Sequence, residues 1–294
     1  MKLSSFLLAG IGLASWAEAA PTILSRETTP SLFARARDEA IYKFIRDWTG
    51  YSNVQADQKI VEAYDKAVKI EPENFAQKEQ VMWPPLAVGG SFGLEVLSWL
   101  KRTGDRASVI EVGAFFAPDT RWLAYKGIDP KRLVATNLKD GVFDIAFNFW
   151  KDEKKLEKGN FHAPFDLTDG SNVKKLEESA NTLLATNVLH LFNLDKQKEM
   201  ASNMLRLMKR GGPARMYIQG MGLHDGRDVG SRYVHSDKTT DAMWNEILKS
   251  DHWNDKVKSS VVKTTFNNQP TPDRNIPGGM RPGYLTTRVF VDFK

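Results

Sequence analysis

Residues 109–121 read Val-Ile-Glu-Val-Gly-Ala-Phe-Phe-Ala-Pro-Asp-Thr-Arg. A short β-branched run closes on Glu111-Val112-Gly113, and Asp119 can open the helix that follows. This is the pattern of the first strand, loop and helix of a Rossmann-like nucleotide fold. An acid at the strand end can meet a ligand, and the glycine lets the backbone come close to it. More residues able to hold a nucleoside stand just past the later predicted strands: Asn137, then Phe165-Asp166, then Asn187. Glu111, Gly113, Ala114, Asn137, Phe165, Asp166 and Asn187 therefore form the candidate cofactor-binding set. His190, three residues beyond Asn187, is the candidate general base at the mouth where a second substrate would sit.

Each of these residues also has a structural reading. Glu111 can cap the loop. Asp119 suits a helix N-cap and the helix dipole. Arg121 suits an ion pair, with Asp119 as one available partner. Phe165 can be a core residue. His224 and His235 follow the fifth predicted strand and read as surface histidines. The five histidines show no His-x-x-x-His spacing and cysteine is absent, so no metal centre is expected and no disulfide is available.

The elements that must carry these side chains alternate from Ser108 onward. Expected strands cover 108–112, 133–136, 161–163, 182–186 and 215–219. Helices are expected over 119–126, 142–151, 173–179, 195–209 and 240–249. In the helix from Asp195, Met200, Met204 and Met208 share one face, and Gly211-Gly212 is the expected stop. Residues 257–266 and 285–293 alternate with period two and read as two long strands. The Pro/Gly-rich segment 267–283 joins them. Upstream, 32–48, 58–70 and 92–100 carry helical spacing, with a break at Pro84-Pro85. The expected fold is α/β: a Rossmann-like seven-stranded sheet with an antiparallel C-terminal hairpin and an N-terminal helical lid. Its divisions are 1–20, 32–104 for the helical extension, and 105–294 for the sheet domain.

The first twenty residues differ in kind. Lys2 precedes the apolar run 6–13, and Ala17-Glu18-Ala19 has the small-x-small form of a cleavage site. This reads as a secretory signal peptide, too short for a membrane span, and it predicts secretion or passage through the secretory lumen. The net charge of +5 is spread over 41 basic and 36 acidic residues. Such mixing indicates solvated faces rather than a nucleic-acid partner. Oligomeric state is not legible.

The run Gly113-Ala114-Phe115-Phe116-Ala117-Pro118-Asp119-Thr120-Arg121 resembles the Gly-Cys-Cys-Phe-Gly-Gln-Asp-x-Arg motif of fungal secondary-metabolite methyltransferases of the meroterpenoid-pathway type. Asp166, His190-Leu191-Phe192 with Gln197, Lys209-Arg210-Gly211-Gly212, Arg232-Tyr233-Val234-His235 and Trp244 also match. So do Tyr51-Ser52 and Trp83-Pro84 in the upstream helices. The resemblance runs from about residue 41 to the C-terminus. It implies a class I methyltransferase fold, S-adenosyl-L-methionine as cofactor, and a small-molecule substrate such as a polyketide- or terpenoid-like acid or alcohol. It also implies that Phe165 stacks on adenine and Asp166 accepts the adenine amino group.

The departures fall on the ligand side. Ala117 replaces a glycine, and Asn137 replaces the carboxylate that would chelate the ribose hydroxyls. An amide offers one uncharged acceptor where a carboxylate offers two charged oxygens. Asn137→Asp is therefore expected to tighten cofactor binding about tenfold. The same departures leave open a secreted, catalytically silent binding protein, or a cyclase or isomerase using the same pocket.

Overall fold

In the computed structural model, which describes residues 39–71, 91–267 and 282–294, five parallel strands form the left and centre of one sheet. They are β1 (Val109–Val112), β2 (Leu133–Thr136), β3 (Phe161–His162), β4 (Thr182–Thr186) and β5 (Pro213–Gly222). After a short hairpin of β6 (Arg227–Val229) and β7 (Arg232–Val234), β8 (Val257–Asn267) and β9 (Gly283–Phe293) complete it. The order is β3-β2-β1-β4-β5-β9-β8, with β9 antiparallel to both β5 and β8. The seven-stranded sheet with antiparallel C-terminal strands is therefore present, and it is the class I methyltransferase arrangement. The order in which strands are added reverses between the parallel neighbours β1 and β4, which places the ligand crevice of such a sheet at their carboxyl ends.

The helices are α1 (Glu39–Thr49), α2 (Asn53–Ala67), α3 (Ser91–Thr103), α4 (Pro118–Tyr125) and α5 (Val142–Trp150) on the amino-terminal side. They are followed by α6 (Gly170–Lys175), α7 (Leu194–Leu207), α8 (Asp237–Leu248) and α9 (Asp251–Asn254). Alternation along β5 explains the layers. Ala214, Met216 and Ile218 join a core with Met200 and Met204 of α7, and Met243 and Trp244 of α8. Arg215 and Tyr217 point the other way, where Tyr217 meets Phe92 of α3 edge-on and Arg215 stacks on Trp99. A fully buried methionine such as Met204 contributes about 2–5 kcal/mol relative to alanine.

Several local expectations are corrected. Ala117, not Asp119, holds the N-cap position of α4. Pro118 stands first in that helix, and its fixed φ suits the place. Asp119 lies in the first turn and is fully buried. Helix α7 ends at Leu207 because Met208 turns extended and bridges to Ala180, well before Gly211. The helix expected over 173–179 starts earlier, at Gly170, because Asp169 caps it by accepting from Ser171. Likewise α2 starts at Asn53 because Ser52 and Gln55 form a capping box. The β6–β7 hairpin was not legible, since three-residue strands carry too few alternations.

The upstream helices belong to the same compact unit as the sheet, residues 38–294. Helix α3 is one of its layers rather than a lid. Trp99 donates to Thr182 Oγ1 at the amino end of β4, and Arg288 of β9 reaches Glu95 at 2.7 Å. Helices α1 and α2 pack outside α4 and α5 through Phe44–Trp150 and Tyr51–Phe149 ring contacts. The expected signal segment, Trp83, the Pro84-Pro85 break and most of the 267–283 connection lie outside the described residues.

Candidate functional site

The β1 loop crosses the start of the β4 loop at close quarters. Gly113 has φ +63°, and a Cβ there would sit 2.5 Å from Val188 Cγ2. Backbone conformation and space both demand glycine. Phe115 and Ala117 follow with φ of 51° and 44°, and Asn187 across the crevice has φ 57°. Left-handed backbone costs a non-glycine residue about 1–2 kcal/mol, and such strain gathers where function over-determines geometry. Ala117 therefore holds a left-handed conformation that glycine would adopt without strain. Its methyl is fully buried among Ala114, Ala135, Phe143 and Phe147, which offsets part of that cost.

Glu111 does not point freely into the crevice. Its Oε2 accepts from the Thr120 amide at 2.8 Å and from Thr120 Oγ1 at 2.5 Å. Burial pushes its carboxyl up to about 7, against the downward pull of the two Thr120 bonds. The capping reading of Glu111 is thus realised, and the residue fixes the first turn of α4 against β1.

Arg121 is fully buried and pairs with Asp152, not Asp119. Its Nε meets Asp152 Oδ2 at 2.7 Å, its Nη2 meets Oδ1 at 3.2 Å, and Nη1 donates to the Phe116 carbonyl. The rings of Phe147, Trp150 and Phe161 surround the guanidinium. Trp48 of α1 donates to the same Asp152 Oδ2. Asp152 carried no motif signal; it lies 31 positions from Arg121.

At the end of β2, Asn137 is buried and fully engaged. Its Oδ1 accepts from the Phe115 amide at 3.2 Å, while Nδ2 donates to the Lys139 carbonyl and to Glu71 Oε1, each at 3.1 Å. Backbone donor, backbone acceptor and carboxylate agree on which amide atom is which. Glu71 is itself only 4% exposed. It enters from the segment after α2, where Ile70 rests over Gly141 at the start of α5. Nothing local in the sequence marks Glu71, 66 positions from Asn137.

Phe165 is buried in the main core beside Leu167 and Val173. Asp166 is half-buried, and its Oδ1 accepts from the Thr168 amide and hydroxyl. The structure thus brings Glu111, Gly113, Ala114, Asn137 and Asn187 to the adjoining carboxyl ends of β1, β2 and β4, with Phe165 and Asp166 following β3.

Beyond β4 and β5, His190 packs on Gly220, and its Nδ1 faces the Met221 amide at 3.4 Å. It lines a cavity of about 30 Å³ with Gln197, Gln219, His235 and Trp244. Gln197 Oε1, Gln219 Oε1, His235 Nε2 and Trp244 Nε1 have no hydrogen-bond partner among the described residues. His235 is buried, not a surface residue, and desolvation holds its imidazole down at about 4. The sequence hid this because β7 and the Ser236 cap of α8 together draw the ring inward. His224 is exposed, its ring against Phe266.

No protein-family model matches the chain. It is 22% identical over 271 residues to O-methyltransferase phiE of a fungal species, covering 84% of this chain and 88% of that protein. It is 22% identical over 191 residues to methyltransferase ausD of Penicillium brasilianum. That match covers 63% of this chain and 65% of its relative, just under two thirds. Among solved structures, a Galdieria sulphuraria protein described as a sarcosine dimethylglycine methyltransferase superposes with a TM-score of 0.52 at 11% identity. That superposition covers 80% of this chain and 99% of the other.

Proposed function

We propose that this chain, similar in sequence to fungal secondary-metabolite methyltransferases and built on the class I methyltransferase fold, is an S-adenosylmethionine-dependent methyltransferase of a small molecule. The observation that carries this reading is the crevice between β1 and β4. There Gly113, Phe115, Ala117 and Asn187 all hold left-handed backbone beside a buried polar cluster at the end of β2.

The donor set fits a nucleoside bearing an amino-acid tail. Oxygen and amide groups of Glu111, Asn137 and Asn187 stand at the strand ends. Bound S-adenosylmethionine supplies an electrophilic methyl carbon on a sulfonium. The protein's part is then positioning and water exclusion, which suffices for most of the rate in such a transfer. Gly113 gives the β1 loop its path. Glu111 anchors that loop to α4 through Thr120. Asn137 ties the loop to β2 through the Phe115 amide.

We assign the acceptor to the side of His190, Gln219 and His235. His190, whose Nδ1 accepts from the Met221 amide at 3.4 Å, is the residue we assign to positioning the acceptor oxygen. Similarity to an O-methyltransferase supports an oxygen acceptor, on a carboxylate or hydroxyl of a polyketide- or terpenoid-like compound.

Calorimetry with S-adenosylmethionine and S-adenosylhomocysteine tests the reading. Micromolar binding of both is expected, with methyl transfer from labelled cofactor to an aromatic or terpenoid acid. No heat at millimolar ligand would remove the enzyme and leave only the fold. We further propose that the chain is secreted, on the sequence pattern of residues 2–19.

A further inference from the structure

We propose that the cavity beside His190 holds an uncharged hydroxyl group of the substrate and discriminates against a carboxylate. The inference rests on the methyltransferase reading above for its place on the acceptor side, and it gives the chemical class of the group held there.

Three polar atoms at this cavity are buried and left unbonded. Gln197, His235 and Trp244 all line it, with exposures of 0%, 6% and 0%. Gln197 Oε1, His235 Nε2 and Trp244 Nε1 have no hydrogen-bond partner among the described residues. Such atoms cost stability until something bonds to them. What two of them can offer is fixed. Gln197 gives its Nε2 protons to the Phe192 carbonyl at 2.8 Å and the Tyr233 carbonyl at 2.7 Å. The end left over is its oxygen, an acceptor only. The Trp244 indole N–H is a donor only. The third atom is adaptable. His235 Nδ1 lies 3.1 Å from Thr239 Oγ1, and Nε2 donates or accepts with the tautomer.

A hydroxyl matches this set, because it both donates and accepts. It can give its proton to Gln197 Oε1 and take one from Trp244 Nε1. A carboxylate only accepts, so it would leave the Gln197 oxygen unbonded and facing like charge. The cavity of about 30 Å³ has room for a group of hydroxyl size. Its electrostatics agree. No Asp, Glu, Lys or Arg stands among the described residues that line it, and Leu189, Ile218, Met221, Met243 and Leu285 supply apolar wall. Desolvation holds His235 down at about 4, so at neutral pH it brings no cation either. An anion brought here would lose its hydration without meeting a positive partner, whereas a hydroxyl exchanges water for the groups present.

The test is binding of phenol and of benzoate to the full chain at neutral pH. The two share a ring and differ in the polar group. The readout is the indole N–H resonance of Trp244, assigned through its link to the backbone. Phenol is expected to shift that resonance and to bind about tenfold or more tighter than benzoate. Gln219→Lys sets a cation on a half-buried residue of the cavity wall. It should move the ratio about tenfold or more toward benzoate.

Benzoate that binds wild type as tightly as phenol would overturn the proposal. So would phenol that binds without moving the Trp244 resonance, since it then sits elsewhere. No shift with either probe at tens of millimolar would leave the cavity to water and overturn it too. These wild-type outcomes stand whether or not the variant folds, and an unchanged ratio in folded Gln219→Lys would also count against the proposal. Calorimetry with S-adenosylhomocysteine separates the two readings. Cofactor binding without a phenol shift sinks only the present proposal. A phenol shift without cofactor binding keeps the hydroxyl site and removes the methyltransferase reading.

Discussion

At the scale of single residues, two buried titratable groups oppose each other. Glu111 is raised from 4.5 to about 7, so its contribution to stability is fully present below pH 4.5 and is lost as pH rises through 7. His235 is lowered from 6.5 to about 4, so its contribution is present above pH 6.5 and is lost as pH falls through 4. The windows overlap with opposite slopes, each on the order of 3 kcal/mol. Wild type should therefore show a nearly flat melting temperature from these two groups. Glu111→Gln should leave stability rising from pH 4 to 6.5. His235→Gln should leave it falling from 4.5 to 7. Thermal melts across that range check both slopes, and parallel profiles for the two variants would contradict them. Gly113 is the other residue whose role is steric and sharp. Gly113→Ala adds a left-handed φ penalty and a clash with Val188, together roughly 3 kcal/mol. Val188→Ala in the same chain should recover the clash but not the φ cost. Urea unfolding of the three variants separates the two parts.

At the scale of elements, Arg121 and Asp152 join α1, α4 and the end of α5. Both side chains are fully buried, and Trp48 bonds to the same carboxylate. Breaking such a pair from one side leaves an unpaired buried charge, at about 3–5 kcal/mol. Asp152→Ala should lose that much in urea unfolding. Arg121→Leu with Asp152→Leu should lose clearly less, because neither charge then remains. Equal loss in both would mean that packing, not charge, holds the junction. The surface pairs, such as Lys43–Asp47 and Lys59–Glu62, are exposed and expected to matter little.

At the scale of the whole molecule, the compact unit of residues 38–294 contains every site element described, including α1–α3. The amino-terminal segment stands apart from it in sequence character. If it is processed as the pattern of Lys2, the apolar run and Ala17-Glu18-Ala19 indicates, secreted protein should begin near Ala20 or Pro21. Amino-terminal sequencing decides this, and an intact Met1 in cytosolic protein would refute it.

Periodicity and punctuation in the chain were enough for the strand–helix alternation, the two long antiparallel strands and the β1 loop, because each is a local property of a few adjacent residues. The identity of β2 and β4 to the residue, and of Gly113 as the crevice glycine, were legible for that reason. Partners were not. The ion pair expected of Arg121 has Asp119 as its nearest available partner in the sequence, yet it forms with Asp152, since only the fold brings that carboxylate near. His235 reads as a surface residue in the sequence, because burial of a loop histidine depends on a hairpin too short to read. Asn137 looked like a lost ligand when judged by its own position. In the fold its amide is bonded to Glu71, 66 positions away, a contact the sequence cannot show because it records only order along the chain.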